Sequence, residues 1–190
     1  MSFKDLINKT RSYRRFDEEH NIEYKTLESL INLARLSASG ANRQPLKYVL
    51  IHTAEDRNKV FPALSWAGYL TEWPGPAKGE RPSAYIIILG DKTIAESFGI
   101  DHGIAAQSIM IGATEAGLGG CIISSVKRDD LMDELRIPEK YEILLVIALG
   151  KPVEKVVVEE IKEGDVKYWR DSNKTHHVPK RSLDELILKF

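Results

Sequence analysis

Apolar residues near the start of the chain recur at helical spacing and predict two helices. Ser2 and Asp5 form a capping-box variant, and the apolar residues around them repeat at helical spacing, so a short first helix is expected. Asn21 can cap a second helix. The apolar stripe of that helix consists of Leu27, Leu30, Ile31 and Ala34. We expect it to bury one face and to end in a loop at 37–45.

Continuous apolar runs farther along predict the strands of a sheet. The runs at 83–89 and 143–149 are apolar at nearly every position, which is typical of strands covered on both faces. Residues 47–52 predict a strand by their β-branched and aromatic content, and another strand starts at 121–123. The shorter helices of the middle region are predicted at 56–64 and 129–135.

The helix predicted over 100–116 is apolar around most of its circumference, so it must be buried on all sides. In a chain this short, such burial requires a central position or a subunit interface. The segment 65–82 has no regular period and predicts a long ordered loop. Because it carries Trp66, Tyr69 and Trp73, it is either a lid over a planar ligand or a loop packed for structural reasons.

The sequence becomes polar after Lys151-Pro152. Residues 153–161 alternate weakly, and 164–174 predict an extended arm with little core of its own. Ser182 restarts a capped final helix. We expect the arm to need a second polypeptide to pack against.

Composition bounds the class of protein. The 190 residues suit one domain, and a hydrophobic fraction of 43% is ordinary for a globular chain. Lys and Arg number 27 against 28 Asp and Glu, so no overall field attracts nucleic acid or an anionic membrane.

No segment has the pattern of a signal peptide or of a membrane span, and we expect a cytoplasmic protein. The single cysteine, Cys121, excludes an internal disulfide and is interpreted as a buried small residue.

The stretch Arg11-Ser12-Tyr13-Arg14-Arg15-Phe16 concentrates three guanidinium groups and a hydroxyl donor within six residues. A guanidinium offers a planar fork of N–H donors that matches phosphate geometry and stays charged at physiological pH. The stretch therefore predicts an anion site. The alternative is a solvated surface on which these arginines pair with Asp17, Glu18 and Glu19.

A second motif, Ser39-Gly40-Ala41-Asn42-Arg43-Gln44-Pro45, is a small-residue loop with two amide side chains. Together with the arginine stretch, it resembles the nitroreductase family of FMN-dependent, NAD(P)H-using oxidoreductases. Further matches follow in the same order along the chain, at Asp101-His102-Gly103 through Gln107, Gly117-Leu118-Gly119-Gly120-Cys121 and Ala148-Leu149-Gly150-Lys151-Pro152. The resemblance covers nearly the whole length.

The resemblance implies an α+β nitroreductase-like fold, with a central mixed β-sheet flanked by helices, in an intertwined homodimer. It implies a single FMN-binding domain at 1–190 whose C-terminal extension, from about 153 to 190, wraps the partner subunit. It also implies that FMN lies at the subunit interface and that NAD(P)H is a transient electron donor. A small-molecule acceptor completes the expected partners, with no nucleic acid and no membrane.

The resemblance further implies a flavin site with four groups of residues. The phosphate is expected at Arg11, Ser12, Arg14 and Arg15 with Lys180 and Arg181. The isoalloxazine and ribityl chain are expected at Ser39, Gly40, Asn42 and Gln44 of the second subunit. The N5 and O4 region is expected to face Ile123, Ser124 and Ser125, and the acceptor to contact Trp66, Tyr69 and Trp73. Because flavin N5 carries the chemistry, no catalytic side chain and no metal are expected.

Several alternatives stay open from sequence. Asn42 and Gln44 could serve only to form the turn before Pro45, and Lys180 and Arg181 could be a solvated pair.

The expected reaction is a ping-pong transfer of electrons from NAD(P)H through FMN to nitroaromatic, quinone or related acceptors. A flavin- or anion-binding protein without turnover, or a dehalogenase or flavin-modifying member of the same fold, is the alternative. A doubly wound nicotinamide dehydrogenase is disfavoured, because Gly117 to Gly120 follow a helix and precede a strand.

Overall fold

A computed structural model describes residues 1–189 as a layered arrangement of helices on sheets. The helices are α1 (Phe3–Lys9), α2 (Tyr24–Arg35), α3 (Ala54–Val60), α4 (Asp101–Glu115), α5 (Arg128–Glu134) and α6 (Leu183–Leu186). The strands are β1 (Phe16–Asp17), β2 (Leu46–Ile51), β3 (Ala84–Asp91), β4 (Gly119–Ile123), β5 (Tyr141–Pro152), β6 (Val156–Glu160), β7 (Trp169–Arg170) and β8 (His176–Lys180). Within residues 1–189, no helix has both the length and the apolar character needed to cross a bilayer.

The central sheet is built around β5, the longest strand. It pairs with β3 and with β4, and β2 pairs with β3 at the outer edge. All of these ladders are antiparallel, as is the short pairing of β1 with the end of β5. The prediction of a mixed central sheet is therefore wrong for the ladders among residues 1–189. The only parallel contact beside them is a single bridge between Ser12 and Gly120. Mixed pairing occurs in a second sheet, where β8 lies between parallel β6 and antiparallel β7.

Both faces of the central sheet are covered, because alternate side chains of a strand point to opposite faces. Ile86 and Ile147 pack under α2 and α4, whereas Ile87 and Val146 pack under α3 and α5. Every residue of β3 is buried. The continuous apolar runs at 83–89 and 143–149 thus correspond to central strands, as predicted.

Two helix starts differ from the sequence prediction. Asn21 does not cap α2, whose N-cap residue is Glu23. Ile22 is buried in the core, so the chain stays extended through it and the helix begins at Tyr24. The next helix starts earlier than predicted, because the Thr53 hydroxyl caps α3 by accepting from the Asp56 N–H.

Helix α4 is buried on one side only within the single chain. Ala105 and Ile109 lie in the core, but Gly103 and Gln107 are exposed, and Ile100 just before the helix is 75% exposed. The prediction of burial all round therefore does not hold for one chain. This exposed stripe is the surface on which a second copy is expected.

The polar C-terminal region folds into the second sheet rather than remaining an extended arm. Strands β6, β7 and β8 form the C-terminal sheet. This part of the chain contacts Arg14 near the N-terminus and Tyr69 in the loop at 65–82. Ser182 caps α6 by accepting from the Glu185 N–H, as predicted. Wrapping of a partner subunit by this region stays a prediction.

Candidate functional site

The arginine stretch is fixed in place by its neighbours on α4 and β4. Thr10, the residue just before the stretch, places its hydroxyl 2.9 Å from the hydroxyl of Thr114 on α4. Tyr13 then donates its backbone N–H to the Gly120 carbonyl at 2.9 Å. A Cβ on Gly119 would lie 2.6 Å from the Tyr13 ring, so glycine is required for this close approach. The stretch therefore runs along the start of β4.

A cavity opens beside the stretch, at the end of β4. Its volume is about 210 Å³, below the ~300–1,000 Å³ of typical small-molecule sites. It is lined by Arg14, by Ser65, Trp66, Ala67 and Gly68, by Cys121, Ile122, Ile123, Ser124 and Ser125, and by Tyr168. The structure thus brings the arginine stretch, the Ile123 to Ser125 segment and one predicted aromatic residue to one place. We call it the arginine cavity.

Arg14 is the arginine that lines this cavity. Its Nη1 donates to the Nε2 of His176 at 3.0 Å and approaches the Ser12 carbonyl at 3.4 Å. The guanidinium lies 4.7 Å from the centre of the Tyr168 ring. The backbone N–H of Arg14 donates to the Glu154 carboxylate. Within residues 1–189, Nη2 and Nε of Arg14 donate to no oxygen or nitrogen acceptor, so they remain available as donors. The guanidinium also lies close to the buried Cys121 thiol, whose pKa burial raises and Arg14 partly lowers.

The other two arginines of the stretch are engaged elsewhere. Arg15 is buried and makes a two-point ion pair with Glu80, which raises the Arg15 pKa and lowers the pKa of the Glu80 carboxyl. Arg11 donates to the Ile7 carbonyl at the end of α1, at 2.6 Å, while its Nε is buried without a described partner. Arg15 therefore lies outside the cavity, and Arg11 and Ser12 are not among the residues that line it.

The alternative of a solvated basic face is not what the structure contains. Among residues 1–189, the arginines make no ion pair with Asp17, Glu18 or Glu19. Their acidic neighbours are Glu80 and Glu154, which lie far away in sequence. Local charge spacing could not reveal these partners.

Ser124 and Ser125, which line the arginine cavity, carry backbone donors. The N–H groups of Ser124 and Ser125 donate to no described residue. Regular pairing with β5 ends at Ile123. Beyond it, the Ser125 carbonyl accepts from the Ser65 N–H, and the Lys127 N–H donates to the Ala63 carbonyl. A pair of free N–H groups here suits an electron-rich edge of a planar ligand.

The amide loop is strained and internally bonded. Asp101 accepts from the Ser39 hydroxyl at 2.6 Å and from the Gly40 N–H at 2.9 Å. Asn42 accepts a 3.0 Å bond from the Gln44 side chain, and both residues have a left-handed φ, of 54° and 53°. Left-handed non-glycine residues of this kind cluster at ligand sites. The loop borders a second cavity of about 330 Å³, which Ser39 and Gln44 line.

The structure does not bring the amide loop and the arginine cavity together in one chain. The loop precedes β2, at one edge of the sheet, whereas the cavity lies at β4, on the far side of β3 and β5. Three strand spacings of about 4.8 Å separate these edges. No described residue lines both cavities. A single chain therefore keeps the two predicted regions apart.

The remaining predicted residues divide between the cavity and the C-terminal sheet. Trp66 lines the cavity, with its Nε1 buried and without a described partner. Tyr69 packs on Tyr168 with ring centres 4.9 Å apart, and Trp73 packs under the Arg170 guanidinium at 4.5 Å. Lys180 and Arg181 are exposed and line no part of the cavity, and Arg181 pairs with Glu185.

Sequence reasoning missed Tyr168, which lines the cavity, and also Glu154 and His176, which bond to Arg14 beside it. All three lie after Pro152, in the polar region that was expected to have little core of its own. Burial, together with the neighbouring charges of Arg14 and Arg170, lowers the pKa of His176 to about 4. Hydrophobic periodicity cannot detect a buried polar cluster, because its members pair with each other rather than with an apolar face.

The lowered pKa of His176 makes stability depend on pH. Between its folded pKa of about 4 and its ordinary value of 6.5, the unfolded chain binds the extra proton, so stability falls as pH decreases. Between pH 7 and pH 5, His176 is expected to reduce the unfolding free energy by about 2 kcal/mol. Urea unfolding of the wild type and of His176→Phe at both pH values measures this difference. An equal pH dependence in the two proteins would show that His176 does not titrate in this way.

The fold and cavity define a class: an α+β protein with a helix-covered antiparallel sheet and a donor-rich, basic cavity at one sheet edge. The chain belongs to the nitroreductase family, whose model matches residues 7–151. A protein of Archaeoglobus fulgidus with the provisional name NADH dehydrogenase/NAD(P)H nitroreductase is 24% identical over an alignment of 151 residues. The match covers 75% of this chain and 82% of the relative.

Solved structures share the fold. A nitroreductase family protein from Clostridium difficile 630 is 25% identical with a TM-score of 0.66, over 80% of this chain and 86% of the other. A provisionally named nitroreductase from Exiguobacterium sibiricum, solved in complex with FMN, is 17% identical with a TM-score of 0.68, over 80% and 89% of the two chains. The family model ends where the C-terminal sheet begins.

Proposed function

We propose that the protein is an FMN-dependent oxidoreductase that passes electrons from NAD(P)H to nitroaromatic, quinone or related acceptors. The observation that carries the proposal is the arginine cavity, where the free donors of Arg14 and the free N–H groups of Ser124 and Ser125 lie at one site. A flat ligand with a phosphate at one end and electron-rich ring atoms at the other matches this donor set.

The residues present fit FMN in the following roles. Arg14 would hold the phosphate, with Arg11 and Ser12 beside it. The backbone of Ile123, Ser124 and Ser125 would donate to the ring. Lys180 and Arg181, which the cavity of one chain does not include, would approach the phosphate after a change in the C-terminal segment or from the second copy.

The second half of the site would come from another copy of the chain. Ser39, Gly40, Asn42 and Gln44 cannot reach the arginine cavity of their own chain, because the sheet lies between them. The exposed side of α4, with the exposed Ile100 just before it, is the surface that a second copy would cover in a homodimer. In such a dimer, the amide loop of one subunit would cover the cavity of the other and enlarge it to a complete site.

When bound, FMN would supply the two-electron redox chemistry that no side chain of this protein can provide. The protein's part is to orient the ring, to donate hydrogen bonds to its edge and to shield one face. Trp66 forms an aromatic wall of the cavity suited to a planar acceptor. Within residues 1–189, no cluster of three or more His, Cys, Asp or Glu side chains is arranged for a metal ion.

An absorbance spectrum of the purified protein, its mass in solution and its NADH and NADPH oxidation rates test the proposal together. We expect a yellow dimer that oxidises one of these donors when menadione or 4-nitrobenzoate is added. A yellow protein without turnover would indicate a flavin-binding protein. A colourless protein that also fails to bind added FMN would refute the proposal.

A further inference from the structure

The C-terminal sheet makes a direct contact with the guanidinium proposed to bind phosphate. Nε2 of His176, the first residue of β8, lies 3.0 Å from Nη1 of Arg14. This strand falls outside residues 7–151, the part of the chain that the family model matches. The contact therefore depends on the C-terminal extension, which the family model does not match.

The protonation of His176 follows from its surroundings. Arg14 can only donate, so Nε2 of His176 must accept, and the ring is neutral with its proton on Nδ1. His176 has no exposed surface, and burial together with Arg14, Arg170 and His177 lowers its pKa to about 4. The imidazole thus remains a hydrogen-bond acceptor throughout the physiological pH range.

The same arginine is held at two further points by C-terminal residues. Glu154, whose side chain is fully buried, accepts the backbone N–H of Arg14 and also accepts from Arg170 at 3.1 Å. The Tyr168 ring lies against one face of the guanidinium. Because Nη1 is occupied by His176, the unpaired Nη2 and Nε are the donors left for a ligand.

We propose that His176 is a positioning residue: its neutral imidazole holds one arm of the Arg14 guanidinium so that the remaining donors face a phosphate. This rests on the proposed function, because the phosphate is that of FMN. The C-terminal sheet then sets affinity for the phosphate without touching it. Fixing the guanidinium before binding removes the ordering cost that a free arginine side chain would carry.

The test compares dissociation constants for FMN and for riboflavin, which has the same ring but no phosphate, by flavin fluorescence quenching. His176→Phe keeps an aromatic ring beside Tyr168 and removes the acceptor, together with an Nδ1–H that has no described partner. We expect it to weaken FMN binding about tenfold and to leave riboflavin binding unchanged. His176→Gln restores an acceptor and is expected to bind FMN nearly as the wild type does.

His177→Gln is the matched control, because His177 lies next to His176 on β8 but bonds to Glu159 instead. It is expected to bind both flavins as the wild type does. If the phenyl ring prevents folding, His176→Leu repeats the deletion with a smaller side chain. Unchanged FMN binding in the deletion variant, or equal losses for FMN and riboflavin, would overturn the positioning role. A wild type that binds neither flavin would instead refute the proposed function.

Discussion

Arg14→Ala is expected to weaken FMN binding by about 100-fold while the protein remains folded. The side chain is only partly buried, and its loss removes the charged donors that line the arginine cavity. Hydrogen bonds to charged groups contribute roughly 1.5–3 kcal/mol each, and about 2.7 kcal/mol corresponds to a factor of 100. Titration of the apoprotein with FMN, followed by flavin fluorescence, measures the change.

Lys167→Ala is the control for this loss of charge. Lys167 is an exposed cation next to Tyr168, so its removal changes the net charge equally without touching the cavity. We expect its FMN affinity to stay within about twofold of the wild type, because an exposed charge is screened by salt. Equal effects of the two substitutions would mean that Arg14 acts through general charge only.

Glu154→Ala is expected to lower the free energy of unfolding by about 3–5 kcal/mol, because it leaves a buried charge without its partner. The Glu154 side chain is fully buried and pairs with Arg170, whose side chain is 14% exposed. Burial lowers the pKa of Arg170, so the surroundings already disfavour its charge. The substitution also leaves the backbone N–H of Arg14 without an acceptor. Urea denaturation followed by circular dichroism measures the loss.

A double variant distinguishes loss of the ion pair from loss of packing. Glu154→Met combined with Arg170→Met replaces both charges with flexible apolar side chains, and it is expected to recover much of the stability. Glu159→Ala removes a partly exposed carboxylate of the same sheet and is expected to change stability by less than about 1 kcal/mol. A double variant as unstable as Glu154→Ala would contradict the assignment.

The strands and the helix with long apolar runs were predicted correctly from the sequence. Strands β3 and β5 and helix α4 were predicted because long apolar runs have few other ways to be buried. The C-terminal sheet was not predicted, because β6 and β8 are short and only partly buried, and their stability depends on contacts with distant parts of the chain.

The site was predicted in its parts but not in its arrangement. The residue types of the arginine stretch indicated an anion site, but spacing could not show that Arg15 is taken by Glu80 or that Arg14 meets His176. These partners lie 65 and 162 residues away along the chain, and only the folded structure brings them together. The separation of the amide loop from the cavity likewise depends on strand order, which local patterns do not specify.

Subunit complementation tests most directly whether each flavin site is shared between two chains. Arg14→Ala and the double variant Asn42→Ala/Gln44→Ala, carrying different affinity tags, are co-expressed, and the mixed dimer is isolated with both tags. If the site is shared, two-fold symmetry places both lesions in one site and leaves the other intact. The mixed dimer should then bind one FMN with wild-type affinity, although each parent dimer binds weakly. A mixed dimer without any tight site would contradict the shared site, because each cavity would then carry one lesion of its own chain.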